Sequence, residues 1–159
     1  MRSRPSLRLA SVGLAVVVLL LPSVLLLGCG RDPMPYRAAI DTLSLPATWQ
    51  VAKTVDKGGS SPCVSLGDAY CPSAWRYYVP AGALPDLFQE AKKAAVDAGF
   101  TDLFEGHPNC DLNTNGAVCV ITATKGDIRL EINLYPPGKD VDSLGLSLPD
   151  RPTVRIVAH

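Results

Sequence analysis

Five cysteines are the residues whose type and spacing most directly suggest chemistry: Cys29, Cys63, Cys71, Cys110 and Cys119. Cysteine side chains bind metal ions, act as nucleophiles or pair as disulfides. No spacing among them matches the roughly two to four intervening residues typical of zinc ligands, so we expect no metal site and no cofactor. Cys29 stands apart at the end of an apolar run, and the other four form an even number. In an oxidising compartment, that number predicts two disulfides.

Four cysteines allow three connectivities, and local geometry favours Cys63–Cys71 with Cys110–Cys119. A Cys63–Cys71 bridge closes a small loop in a segment rich in glycine and serine. A turn centred on residues 114–115 places Cys110 directly opposite Cys119. Opposed residues of an antiparallel pair have Cβ atoms about 4.5–5.5 Å apart, close to the separation that a disulfide spans.

Catalytic residues are not recognisable in this sequence. The two histidines are His107, in a loop, and His159, the last residue printed. Neither a Gly-x-Ser-x-Gly elbow nor a phosphate-binding glycine motif is present. Acidic residues are scattered singly, which leaves a hydrolase with a carboxylate pair as an alternative. We therefore predict that the protein is not an enzyme.

Aromatic residues cluster near two predicted strands, at Trp49, Trp75, Tyr77 and Tyr78. Core packing is the ordinary role of such side chains. The sharper hypothesis is a binding surface formed by Arg76 and Tyr78, which strand alternation places on the face opposite Trp75. Such a surface would bind an envelope glycan or protein.

The N-terminal segment has the three parts of an export signal. Arg2, Arg4 and Arg8 precede an uncharged run that ends at Gly28. Leu26-Leu27-Gly28-Cys29 resembles the lipobox of bacterial lipoproteins. The resemblance implies cleavage before Cys29, a diacylglyceryl group on its sulfur and attachment to the outer face of the cell membrane. An uncleaved anchor and ordinary secretion are the alternatives, and both export the domain to the same side.

Charge and length limit the possible partners. All 15 acidic residues follow Cys29, against twelve lysines and arginines, so the expected mature region carries about three net negative charges. No basic block suits a phosphate backbone, so we expect no nucleic-acid partner. We expect a signal peptide at 1–28, a lipid-anchored tether with a short helix at 29–48, and a single domain at 49–159.

Hydrophobic periodicity predicts an α+β fold: an antiparallel sheet of about five strands with one main helix packed on one face. A signal helix and a short helix precede it. The short helix is expected at 36–43, the main helix at 85–98, and the strands at 50–56, 74–79, 117–124, 127–135 and 154–158. Residues 101–116 are expected to form a loop. A turn at Lys125-Gly126 would set Cys119 opposite Ile132; a turn at Gly126-Asp127 would shift the pairing by two and keep the same faces.

A second resemblance is one of overall arrangement. A short tether, a Pro-x-x-Trp entry, Cys-Pro-Ser, Arg-Tyr-Tyr, a helix ending in Gly-Phe and a cysteine pair resemble small exported actinobacterial lipoproteins of unknown function. We therefore expect a lipid-anchored envelope protein that acts by binding. A small carboxylate hydrolase and an accessory subunit of a transporter or envelope complex are the alternatives.

Overall fold

A computed structural model of the chain describes residues 30–60, 71–106, 110, 118–139 and 150–159. The predicted signal peptide, Cys29, Cys63, His107 and the turn at 114–115 lie outside these residues. The helices are α1, Met34–Asp41, and α2, Leu84–Asp97. The strands are β1, Gly30–Arg31; β2, Gln50–Lys57; β3, Gly59–Ser60; β4, Ser73–Val79; β5, Thr101–Glu105; β6, Cys119–Lys125; β7, Ile128–Tyr135; and β8, Thr153–Ala158.

The main sheet confirms the α+β prediction but has six described strands, not five. Their order is β2-β4-β8-β7-β6-β5, and every neighbouring pair is antiparallel. The strand missed from the sequence is β5, which was predicted to be part of a loop. Strand β5 is irregular: Asp102 has a φ of +52°, and the register of β5 with β6 shifts between Thr101 and Phe104. Phe104 is exposed, so no apolar alternation marks the strand.

The β6–β7 hairpin turns at Gly126-Asp127, the second of the two registers expected. Cys119 therefore lies opposite Leu134 and not Ile132. Gly126 has a φ of +58°, and glycine at the first central position is what a type II′ hairpin turn requires. The inward face is unchanged by the shift of two residues, and Cys119 is fully buried.

Helix α2 follows its sequence signals closely. Pro85 lies in the first turn, and one face buries the residues of an apolar stripe: Leu87, Phe88, Ala91, Ala94 and Ala95. The helix ends in a Schellman motif, because Phe100 N–H donates to the Ala95 carbonyl and Gly99 N–H to that of Val96. Gly99 has a φ of +83°, which suits glycine.

The two helices cover the same face of the sheet. Helix α1 contacts β4 and β8, and α2 contacts β6 and β7. Trp49 lies between these parts of the core: its indole donates to Glu90 on α2 over 2.9 Å, and its ring meets Tyr78 edge-on at 5.9 Å. Within the described ranges, neither helix is long and apolar enough to cross a membrane.

A separate two-stranded ladder ties the start of the described chain to the domain. Gly30 pairs with Ser60, and Arg31 pairs with Gly59. Within the expected tether, Gly30 and Arg31 therefore have a backbone that is paired with the domain.

Candidate functional site

The two residues predicted to form a binding surface are buried on the helix-covered side of β4. Arg76 is 6% exposed and Tyr78 8% exposed. The Arg76 guanidinium donates to the Asp56 carboxylate over 2.7 Å and to the Trp75 carbonyl over 2.9 Å. Both side chains therefore have core roles, and they do not form an exposed platform.

Burial also changes the chemistry of Tyr78. Desolvation raises the pKa of its hydroxyl above the ordinary value of 10.0, while Arg76 lowers it and Asp41 raises it. Tyr78 is therefore neutral over the physiological range. The Tyr78 ring packs edge-on against Trp49, and both residues belong to the main hydrophobic core.

The cysteines provide covalent links. Cys110 and Cys119 form a disulfide with a Cα–Cα distance of 5.4 Å, as the favoured pairing predicted. This bond joins the chain beyond β5 to the first residue of β6. Cys71 is also disulfide-bonded.

The opposite side of the sheet, here called the second face, is contacted by neither α1 nor α2. Trp75 and Tyr77 point to this side from β4, with ring centroids 6.5 Å apart. Tyr77 and Tyr135 form a second small core there, against which Val55, Trp75 and Val118 pack. The second face is therefore buried near its centre, where Tyr77 is 0% exposed and Tyr135 6% exposed.

Trp75 is held between cations from both neighbouring strands. Lys57 on β2 places its Nζ 4.1 Å from the centre of the indole ring, and Arg155 on β8 places its Cζ at 5.5 Å. Each such contact contributes about 0.5–1 kcal/mol at an exposed site and more when desolvated. The indole N–H donates to the Ser73 hydroxyl oxygen over 2.8 Å. These contacts fix the ring position.

Arg155 is positioned by β7 as well as by the indole. Its Nη2 lies 3.1 Å from Glu131 Oε1, and the Asn133 amide donates to the same oxygen over 2.7 Å. The Arg155 side chain is 16% exposed and that of Glu131 30%, so solvent reaches this pair only in part. The carboxylate therefore fixes the guanidinium beside Trp75.

Trp75, Arg155 and Glu131 border a cavity of about 60 Å³, here called the Trp75 cavity. Its lining residues come from three strands and the chain next to them: Cys71, Ser73, Trp75, Glu131, Arg155, Val157 and His159. The volume equals that of roughly two molecules of liquid water. Pockets for whole small molecules measure about 300–1,000 Å³, so this cavity suits one projecting polar group.

The lining offers hydrogen-bond donors and one carboxylate. Ser73, Arg155 and His159 provide donor groups, and Glu131 is the acidic side chain among the described residues of the wall. Nowhere in the described ranges do three or more histidine, cysteine or acidic residues gather as a metal site would require. The arrangement can bind and orient a small polar or anionic group.

Sequence reasoning placed Trp75 and Tyr77 on a common face, but it did not identify the cavity. The missing information was the position of β8, which inserts between β4 and β7 and sets Arg155 opposite Tyr77. Lys57 and Trp75 are 18 positions apart and meet only through the β2–β4 register. The one local signal in the sequence was the alternation of Lys53, Val55 and Lys57. It places two lysines on the same side of β2 as Val55.

Neither a protein-family model, nor a curated protein sequence, nor a solved structure gives a significant match to this chain.

Proposed function

We propose that this protein is an exported lipoprotein whose α+β domain acts as a non-enzymatic binding module at the outer face of the cell membrane. The lipobox-like Leu26-Leu27-Gly28-Cys29 supports export and lipid attachment. The Cys110–Cys119 disulfide and the disulfide-bonded Cys71 are typical of oxidising compartments. Cys29 is the cysteine that the lipid would modify.

The observation that carries the binding role is Trp75, held between Lys57 and Arg155 at a cavity too small for a whole substrate. An aromatic ring with two fixed cations is a rigid surface, so little side-chain entropy is lost when a partner binds. A partner would place one polar group in the cavity.

A carboxylate hydrolase receives less support from the same site. Such enzymes use two carboxyl groups about 5–9.5 Å apart. Among the described lining residues the cavity offers Glu131, which already accepts hydrogen bonds from Arg155 and Asn133. This arrangement favours binding over hydrolysis.

Fluorine NMR of the full chain in non-ionic detergent tests the binding role. The chain has two tryptophans, so fluorotryptophan labelling gives one resonance from Trp75 and one from the buried Trp49 as an internal control. Solubilised cell envelope should shift the Trp75 resonance and leave that of Trp49 unchanged. The shift should be lost in Arg155→Gln and kept in Lys139→Gln, which removes an equal charge from an exposed turn. An unmoved Trp75 resonance would contradict the proposal.

A further inference from the structure

The chain that follows the expected lipidation site enters the folded domain almost at once. Strand β1 pairs with β3 at both of its residues, and α1 begins two residues later. The Met34 N–H donates to the Asp32 carboxylate over 2.9 Å, and the Pro33 carbonyl accepts hydrogen bonds from the next turn of the helix. Residues 30–41 are therefore bound to the ladder or to the helix, and this described stretch contains no free tether.

Helix α1 is itself fixed to the sheet. Ala39 and Ile40 are buried in the main core, and Tyr36 packs against it. The helix contacts β4 and β8, the two strands that follow β2 in the order of the sheet. The start of the described chain is thus held to the domain at two places, by the β1–β3 ladder and by α1.

This arrangement limits how far a lipid on Cys29 could lie from the domain. Cys29 precedes Gly30, so their Cα atoms are about 3.8 Å apart, and Met34 is within about 18 Å of Cys29. A diacylglyceryl group would place the cysteine sulfur at the edge of the hydrocarbon layer, beneath a headgroup region roughly 5–7 Å thick. The single link between lipid and domain is shorter than this region, so the anchored domain would meet the headgroups.

The outward side of α1 offers an apolar side chain at this end of the domain. Met34 is 63% exposed although it is large and apolar, and Pro35 and Ala38 beside it are also exposed. Methionine is flexible and adapts to irregular apolar surroundings, and its burial among lipids is favourable. Arg37 pairs with Asp41 at 3.6 Å, so this helix side does not require a charged headgroup.

We propose that the lipidated domain rests directly on the bilayer at its anchor end, the β1–β3 ladder and the first turn of α1, with the Met34 side chain in the headgroup region. The inference depends on the proposed lipid anchor and adds which part of the domain meets the membrane. Lipid is the occupant because the anchor would hold Met34 within reach of the bilayer.

Methionine-methyl NMR of the lipidated protein in phosphatidylcholine nanodiscs tests this contact. The sequence contains two methionines, Met1 and Met34, so removal of the signal peptide leaves Met34 as the methyl probe. Phe104→Met adds a matched probe, because Phe104 is 64% exposed and lies on β5, at the other end of the described strand order from β2. Five strand spacings separate β2 from β5 by about 24 Å.

Two paramagnetic reagents distinguish lipid contact from exposure to water. A spin label near the top of the lipid acyl chain should broaden the Met34 methyl resonance, and a water-soluble gadolinium chelate should broaden it little. The methyl group introduced by Phe104→Met should respond in the opposite way, because the two side chains are equally exposed in the structure but only Met34 lies at the anchor end.

A longer link to the lipid should remove the contact. An insertion of about ten glycine and serine residues between Cys29 and Gly30 adds a reach of about 17 Å and leaves the folded residues unchanged. Broadening of Met34 by the lipid label should then fall at least about fivefold. The same insertion between Gly138 and Lys139, in an exposed turn, is the matched control and should leave the broadening unchanged.

Three results would overturn the inference: no broadening of Met34 by the lipid label, equal broadening of the methyl introduced by Phe104→Met, or no effect of the insertion before Gly30. Shielding of Met34 only after solubilised envelope is added would indicate a protein occupant and would overturn it too. Mass spectrometry of the same sample separates the two proposals. A Cys29 without lipid overturns both, whereas a lipidated Cys29 with an unbroadened Met34 overturns this inference alone.

Discussion

The Arg76–Asp56 pair should show a strongly asymmetric response to mutation. The Arg76 side chain is 7% exposed, whereas that of Asp56 is 32% exposed. Asp56→Asn leaves a buried guanidinium without its carboxylate. Arg76→Met removes the buried charge, fills a similar volume and leaves Asp56 with access to water. Removal of the carboxylate should therefore cost much more stability than removal of the cation.

The magnitude follows from the local contacts. Loss of one partner of a fully buried pair costs about 3–5 kcal/mol. Asp56 is about a third exposed, and Arg76 keeps its 2.9 Å hydrogen bond to the Trp75 carbonyl. We therefore expect Asp56→Asn to lower the free energy of unfolding by about 2 kcal/mol, and Arg76→Met to change it by less than about 1 kcal/mol.

Urea unfolding of the full chain in non-ionic detergent, with disulfides intact, measures both values. With an m-value of about 2 kcal/mol/M, the midpoint of Asp56→Asn should fall by about 1 M. Asp41→Asn is the matched control, because it breaks the exposed Arg37–Asp41 pair and should cost about 0.5 kcal/mol or less. Equal midpoints for Asp56→Asn and Arg76→Met would refute the reasoning. Arg76→Met should also keep the Trp75 response to envelope extract, since Arg76 lies on the other side of the sheet.

Three further changes test separate parts of the structure. Replacing both Cys110 and Cys119 with serine should lower the free energy of unfolding by about 2.5 kcal/mol. This value is the loop entropy that the disulfide removes from the unfolded chain at a separation of 9 residues. Calorimetry should show a Tm lower by roughly 5–10 °C. Gly99→Ala should cost about 1 kcal/mol in urea unfolding, because Gly99 has a φ of +83°. Burial raises the pKa of Tyr78, so the folded state resists its ionisation, and stability should fall as the pH rises above about 10. Tyr78→Phe should reduce this alkaline loss; an identical pH profile for the variant would contradict the assignment.

Local signals in the sequence predicted the elements that depend on neighbouring residues. Pro85 and the Gly99-Phe100 pair marked the ends of α2, since a proline in the first turn and a left-handed glycine after the last are local requirements. The β6–β7 hairpin and the inward face of Cys119 followed from alternation with period two. The sequence did not decide between turns at Lys125-Gly126 and Gly126-Asp127. The two pairings differ by two residues and bury the same side chains.

The candidate site depended on contacts that no local signal records. Arg76 and Tyr78 alternate as a polar face would, yet the helices cover them because α1 packs across β4 and β8. The sequence pattern specifies two faces of β4 but not which one the helices cover. Strand β5 was missed for a different reason: its bulge at Asp102 interrupts the alternation that marks a strand.

Mass spectrometry of the N-terminal peptide from membrane-extracted protein tests the central claim most directly. We predict a mature chain that begins at Cys29 and carries a diacylglyceryl group on the cysteine sulfur, with Gly30 as the next residue. A chain that retains Met1, or a Cys29 without lipid, would contradict the lipoprotein assignment.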